Sequence, residues 1–234
     1  MEMCNANNPA ENNPLQRMPA IISALHLIFW GGLIVVIDIR INRFDIVNDV
    51  IGAFIIAAGV FRLADLPVDR TYATQMSYVR VTSVVFVVHC IVVDLLGLEA
   101  TGGLQVILSL AALAEFAAIV VFCLAMRRLS NSAGLASSAY SWRTTTLLFL
   151  IVYAPAMCFG VAAGLYAAAT GARFTPNVTP HSFGAMLMLV VVVLVIFAIP
   201  VVHLFVSTSR MAREAEQLKY RDSLTPPAAG PAEC

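Results

Sequence analysis

The chain has 234 residues, of which 60% are hydrophobic and 12% charged, and it carries no net charge. Soluble domains run at about 45–50% apolar and about 25% charged, and one soluble core of this length has no room for the excess. The composition excludes an ordinary soluble globule, and with Lys219 as the only lysine there is no basic face for nucleic acid.

Crossing a bilayer takes about 20 mainly apolar residues, each adding about 1.5 Å of helix rise. After a polar tail over 1–18, six stretches qualify: about 19–38, 48–66, 79–98, 103–126, 145–169 and 184–208, with a polar extension and tail over 209–234. The first is too long for a signal-peptide core and no small-residue cleavage site follows it, so it is expected to remain in the membrane. The expected fold is all-α, a polytopic integral membrane bundle of six transmembrane helices. Lys and Arg of short loops gather on the cytoplasmic side. With the N-terminus inside, Arg17, Arg62, Arg70, Arg80, Arg127, Arg128, Arg143, Arg210, Arg213, Lys219 and Arg221 fall inside, and Arg40, Arg43 and Arg173 outside. That bias places both termini in the cytoplasm, with Tyr72, Tyr78, Tyr140 and Trp142 as interfacial aromatics at the same end.

Between the first two spans lies "VIDIRINRFDIVNDVIG", residues 36–52. Ile37, Ile39 and Ile41 alternate with Asp38, Arg40 and Asn42, a strand period. An isolated strand would leave its backbone unpaired near lipid, so a short external turn is expected instead. Asn48 is placed to cap the next helix and Asp49 to meet its positive end, while Asp38, Asp45 and Asp49 can pair with Arg40 and Arg43. The rival is a cation site from Asp38, Asn42, Asp45, Asn48 and Asp49, which lacks the alternation and central Gly of a calcium loop. The run R-x-x-x-F-D-I-x-x-D-x-I-G, here Arg40, Phe44, Asp45, Ile46, Asp49, Ile51 and Gly52, resembles an element of uncharacterised bacterial multi-pass membrane proteins, with Asn48 where Pro is expected. The resemblance covers about thirty residues and implies a bacterial membrane protein without implying an activity; the expected location is the bacterial inner membrane.

Spans three and four are joined by a short turn near Ala100 and Thr101, so they are expected to run antiparallel. Ionisable groups inside spans cost about 2.5–3.5 kcal/mol on insertion scales and point to function. Glu115, in "LSLAALAEFAAIVVF", stands alone on its helix, and His89 lies at a similar depth on span three, about 4–5 Å away along the axis. A line Glu115–His89–Asp94 would lead protons outward. The alternative is a protonated Glu115 bonded to a carbonyl or to Ser109. Arg62 and Asp65 sit near the inner surface, where they can snorkel or pair. His26 and His203, at matched depth near the cytoplasmic face, are the candidate ligands for a haem or metal, the rival expectation being ordinary hydrogen bonding.

Residues 127–143, "RRLSNSAGLASSAYSWR", are small and polar and read as a mobile connector. In span five Ala156, Gly160, Gly164 and Ala168 recur every four residues, a smooth face for close helix packing within the chain or between two copies. Pro155 and Pro200 are expected to bend spans five and six and to free carbonyls that need partners. Span six is apolar all round and should face lipid, with a helical extension pairing Arg210 to Glu214 and a disordered tail beyond.

The cysteines Cys4, Cys90, Cys123, Cys158 and Cys234 form no C-x-x-C pair and read as small hydrophobes, and neither a C-a-a-X box nor a myristoylation site occurs. Asn177-Val178-Thr179 is a sequon followed by Pro180, which disfavours modification. No nucleophile elbow, phosphate loop or H-E-x-x-H motif appears, and no cofactor is expected. Three functions follow from these residues. The first is a non-catalytic accessory or interaction protein, lipid-embedded and dimeric through span five. The others are a small proton-coupled permease using Glu115 and His89, and a haem-binding redox protein using His26 and His203. The substrate or small-molecule ligand is not legible.

Overall fold

A computed structural model of the protein describes residues 18–36, 40–41, 44–45, 49–92, 103–170 and 183–224. The elements are α1 (Met18–Val36), β1 (Arg40–Ile41), β2 (Phe44–Asp45), α2 (Asp49–Ala64), α3 (Arg70–Cys90), α4 (Gly103–Ser132), α5 (Ala136–Thr170) and α6 (Phe183–Leu224). Each helix packs on its neighbours in the chain, and α6 returns to α1, which closes a ring of six. Four helices contain stretches long and apolar enough to cross a membrane: Met18–Val35, Val106–Ser132, Ala136–Tyr166 and Val191–Leu218. At 16 residues α2 is only about 24 Å long, and α3 opens with the polar turns "RTYATQMSYVR".

The distribution of polarity suits a lipid surround. Phe159 is 77% exposed, and Met188, Leu194 and Ile151 are exposed as well, whereas every buried polar residue described is a Ser or Thr. Val191 to Val195 are all exposed, as the apolar character of span six implies. The packed core lies at the arginine-rich end, where Leu63, Tyr72, Met76, Met126, Leu129, Leu135, Trp142 and Met211 are buried together.

Two expectations require correction. The connector 127–143 is mostly helical: α4 continues to Ser132 and α5 starts at Ala136. Gly134 (φ 73°) ends α4, with Leu135 N donating to Ser130 O at 2.8 Å and Gly134 N to Asn131 O at 3.1 Å. Those bonds satisfy carbonyls left over at the helix end, and glycine takes the left-handed backbone without a Cβ penalty. Leu135, next along, is fully buried in the core, so the "polar" connector is an anchored corner. The link between α1 and α2 contains strands after all, since Arg40 pairs with Asp45 and Ile41 with Phe44 in an antiparallel ladder. The two short strands bond to each other, which removes the objection to an isolated one. Asp38, Asn42, Arg43 and Asn48 lie outside the described residues.

Small residues also mark the closest helix seam. A Cβ on Gly31 would sit 2.7 Å from Gly52 O, one on Gly52 2.8 Å from Gly31 O, and one on Gly59 2.7 Å from Ala24 O. The intimate packing within the chain is therefore α1 on α2, with Ala24 and Gly31 seven residues apart facing Gly52 and Gly59 at the same interval. On α5, a Cβ at Gly160 would meet nothing within 4 Å, and Ala156 is exposed. Gly164 is partly buried, and the side chain of Ala168 lies outside the description.

The α2–α3 corner is capped from both sides. Asp69 accepts from Tyr72 N at the start of α3, and the Tyr72 hydroxyl donates to Leu63 O at 2.8 Å, taking up a carbonyl at the end of α2. Asp65 pairs with Arg80 and Asp69 with Arg128, each at 3.7 Å. Arg80 also lies 4.3 Å over the Phe61 ring.

Candidate functional site

The contact between α3 and α4 brings the two isolated ionisable groups together. The helices run antiparallel, as the Asp69–Arg128 pair at one end and the His89–Glu115 pair farther along require. His89 Nδ1 lies 2.7 Å from Glu115 Oε1, and both side chains are largely shielded, at 22% and 17% exposure. Beside them Tyr78 Oη donates to Ala114 O at 3.2 Å, a second tie between the helices. At this distance one proton can sit on either partner, as a carboxylate with an imidazolium or as a carboxylic acid with an imidazole. Glu115 thus has His89 as its partner. Asp94 lies outside the described residues.

Glu115 also lines a cavity of about 350 Å³ to which all six helices contribute. Ile28 and Gly32 of α1, Ile56 of α2, Phe86 of α3, Phe122 of α4, Phe149 of α5 and Leu204 of α6 make a wall that is almost entirely apolar. Its polar members are Glu115, Thr82, Ser83 and Tyr153. Val60, Val79, Phe122 and Phe149 belong both to this wall and to the packed core, so the cavity begins where the close packing of the arginine-rich end stops. A concave apolar space with a few convergent polar groups has the general form of a small-molecule site.

Tyr153 links this wall to the proline of α6. Its hydroxyl donates to Phe197 O at 2.9 Å, beside the carbonyl of residue 196 that Pro200 leaves without its usual donor. The bond ties α5 to α6 one residue along from that freed carbonyl. Helices α5 and α6 nonetheless run unbroken past Pro155 and Pro200.

A second polar cluster, which the sequence did not disclose, fills the α5–α6 seam. Ser141 and Ser207 hydroxyls are 2.8 Å apart, Thr145 lies 2.8 Å from Ser207, and His203 Nδ1 lies 2.9 Å from Thr145 Oγ1. The signal was present as Ser141 and Thr145 one helical turn apart facing His203 and Ser207 at the same interval, but pairing them requires knowing that the two helices touch. His203 is therefore a member of this hydroxyl cluster. His26 is exposed on α1. Opposing axial imidazoles need two histidines converging on one space; these two stand in different surroundings, and among the described residues no group of three His, Cys, Asp or Glu could hold a metal ion.

At the arginine-rich end, Glu214 takes a role other than pairing with Arg210. Its Oε1 accepts from Ser137 N at 3.0 Å, and its Oε2 accepts from Ser138 N at 2.7 Å and from the Ser138 hydroxyl at 2.5 Å. A carboxylate on unsatisfied amides at the positive end of a helix is doubly favourable, and here it ties the extension of α6 to the start of α5. Ser130 adds a contact to Met211 Sδ at 3.7 Å. No family model matches the chain, nor does any curated protein or solved structure.

Proposed function

We propose that the protein is a six-span membrane protein, with both termini on the arginine-rich cytoplasmic side of a bacterial inner membrane, and that it couples protonation of the Glu115–His89 pair to movement of a small molecule. The observation that carries this reading is the 2.7 Å contact between two ionisable side chains on the wall of a cavity lined by all six helices. Such groups inside a bundle mark ion or proton pathways because their insertion is otherwise costly. A pair that shares one proton can release it to either side when the cavity changes its access. In liposomes under an imposed proton gradient, wild type should show substrate-dependent proton flux and Glu115→Gln should lose at least nine-tenths of it. Equal flux in the two proteins would refute the reading.

A second reading is favoured by α5. Ala156 and Gly160 are exposed and nothing among the described residues covers Gly160, so a second copy can pack there in the way small residues allow. Single-cysteine variants at 156 and 160 should crosslink between copies in native membranes more readily than one at Ile151. Crosslinking independent of position would remove the dimer and leave the permease reading intact.

A further inference from the structure

The hydroxyl hydrogens on the cavity wall are all directed elsewhere. Thr82 Oγ1 donates to Tyr78 O at 3.0 Å, Ser83 Oγ to Arg80 O at 2.8 Å, and Tyr153 Oη to Phe197 O at 2.9 Å. Glu115 uses Oε1 for His89. With the shared proton on His89, the four polar side chains of the wall present lone pairs and no side-chain hydrogen. Such a wall holds water poorly, because among the described residues four polar side chains line it and the rest is apolar. An occupant that suits the wall has an apolar body and brings its own donors.

We infer that the cavity binds a free lipophilic amine as its ammonium, the hydrocarbon against the aromatic and aliphatic wall and the N–H donors on Glu115 Oε2 and the Thr82 and Ser83 oxygens. This rests on the proposed protonatable pair and adds the class of molecule that it moves. The charge balance also defines the coupling. One carboxylate neutralises one cation, so the arriving ammonium displaces the His89 imidazolium, which gives up its proton and becomes neutral. One organic cation enters and one proton leaves, with the charge of the site unchanged. No other charged side chain from any of the six helices lines the cavity among the described residues. Tyr153 of α5 is the one further titratable group on the wall, and Cys90, beside His89 on α3, is buried. Carboxylates and quinones, which offer acceptors to an acceptor-only wall, are disfavoured.

The full chain in neutral detergent, weakly buffered, is titrated with decylammonium and separately with decanoate. Decylammonium should bind wild type with release of close to one proton per ligand. Glu115→Gln should bind at least tenfold more weakly and release none. Gly32→Leu is the second variant, because Gly32 lines the cavity and a Cβ there meets nothing within 4 Å. It should weaken binding at least tenfold with an unchanged melting temperature. Decanoate binding more tightly than decylammonium would overturn the amine assignment while leaving the pair as a proton site. Equal decylammonium binding by wild type and both variants would show adsorption to the micelle and overturn the site itself. Displacement of decylammonium by phosphatidylethanolamine would assign the pocket to a lipid head group and overturn the free amine.

Discussion

Two adjacent glycines have opposite roles. Gly31 faces the backbone of α2, where a methyl group would lie 2.7 Å from Gly52 O and 2.9 Å from Ile56 N, whereas Gly32 faces open space on the cavity side. Gly31→Ala has to push two helices apart and should cost about 1–3 kcal/mol, the usual range for overpacking. Gly32→Ala should be neutral or slightly stabilising, since alanine is the better helix former. Thermal unfolding of the two variants in one detergent checks the contrast, and equal melting temperatures would contradict it. Tyr72 gives a pH effect of defined sign. Burial pushes its phenol above the ordinary value near 10. Its contribution to stability is full below about pH 10 and is lost as pH rises above that, because the unfolded chain ionises first. Between pH 8 and 11 wild type should lose its stability advantage over Tyr72→Phe, which keeps the ring but not the bond to Leu63 O. Glu115 and His89 were legible from the sequence for a simple reason. An isolated charge in an apolar helix is conspicuous, and a short turn between two spans sets relative depth by counting residues. The Ser141–Thr145–His203–Ser207 cluster was not, because hydroxyls are common in apolar helices and nothing local marks which ones meet.

Helix ends were the less legible part of each element. Hydropathy marks the length of chain suited to lipid, not the length that is helical, so α3, α5 and α6 each extend into polar sequence at the arginine-rich end. The corner at Gly134 shows how. "NSAGL" carries a glycine followed by an apolar residue, a helix-stop signal whose meaning depends on Leu135 having a core to enter. The role of Glu214 lies 76 residues along the chain from Ser138, beyond any local pattern. Because that carboxylate caps α5, Glu214→Gln should cost about 1 kcal/mol and speed amide exchange in the first turn of α5 while leaving the middle of the helix unchanged. Uniform exchange across α5 in both proteins would dissociate Glu214 from the cap.

At the scale of the whole molecule, the bundle is tightly packed at its arginine-rich end and carries a partly open cavity just beyond that packing. Helix α2 is apolar but only 16 residues long and α3 opens on polar turns, and both are anchored through the buried Leu63, Tyr72 and Met76. That is why four helices and not six stand out by length and composition as membrane-spanning. The proposal of six spans with termini on one side predicts that single cysteines placed in 1–17 and 225–234 are labelled together by an impermeant thiol reagent only after the cytoplasmic face is opened; labelling from opposite faces would contradict it. The central claim, a proton shared between Glu115 and His89 inside the bundle, is tested most directly by pH-difference infrared spectroscopy of the purified protein. A carboxyl band that titrates in wild type should disappear in Glu115→Gln and move in His89→Gln, whereas spectra identical in all three proteins would contradict it.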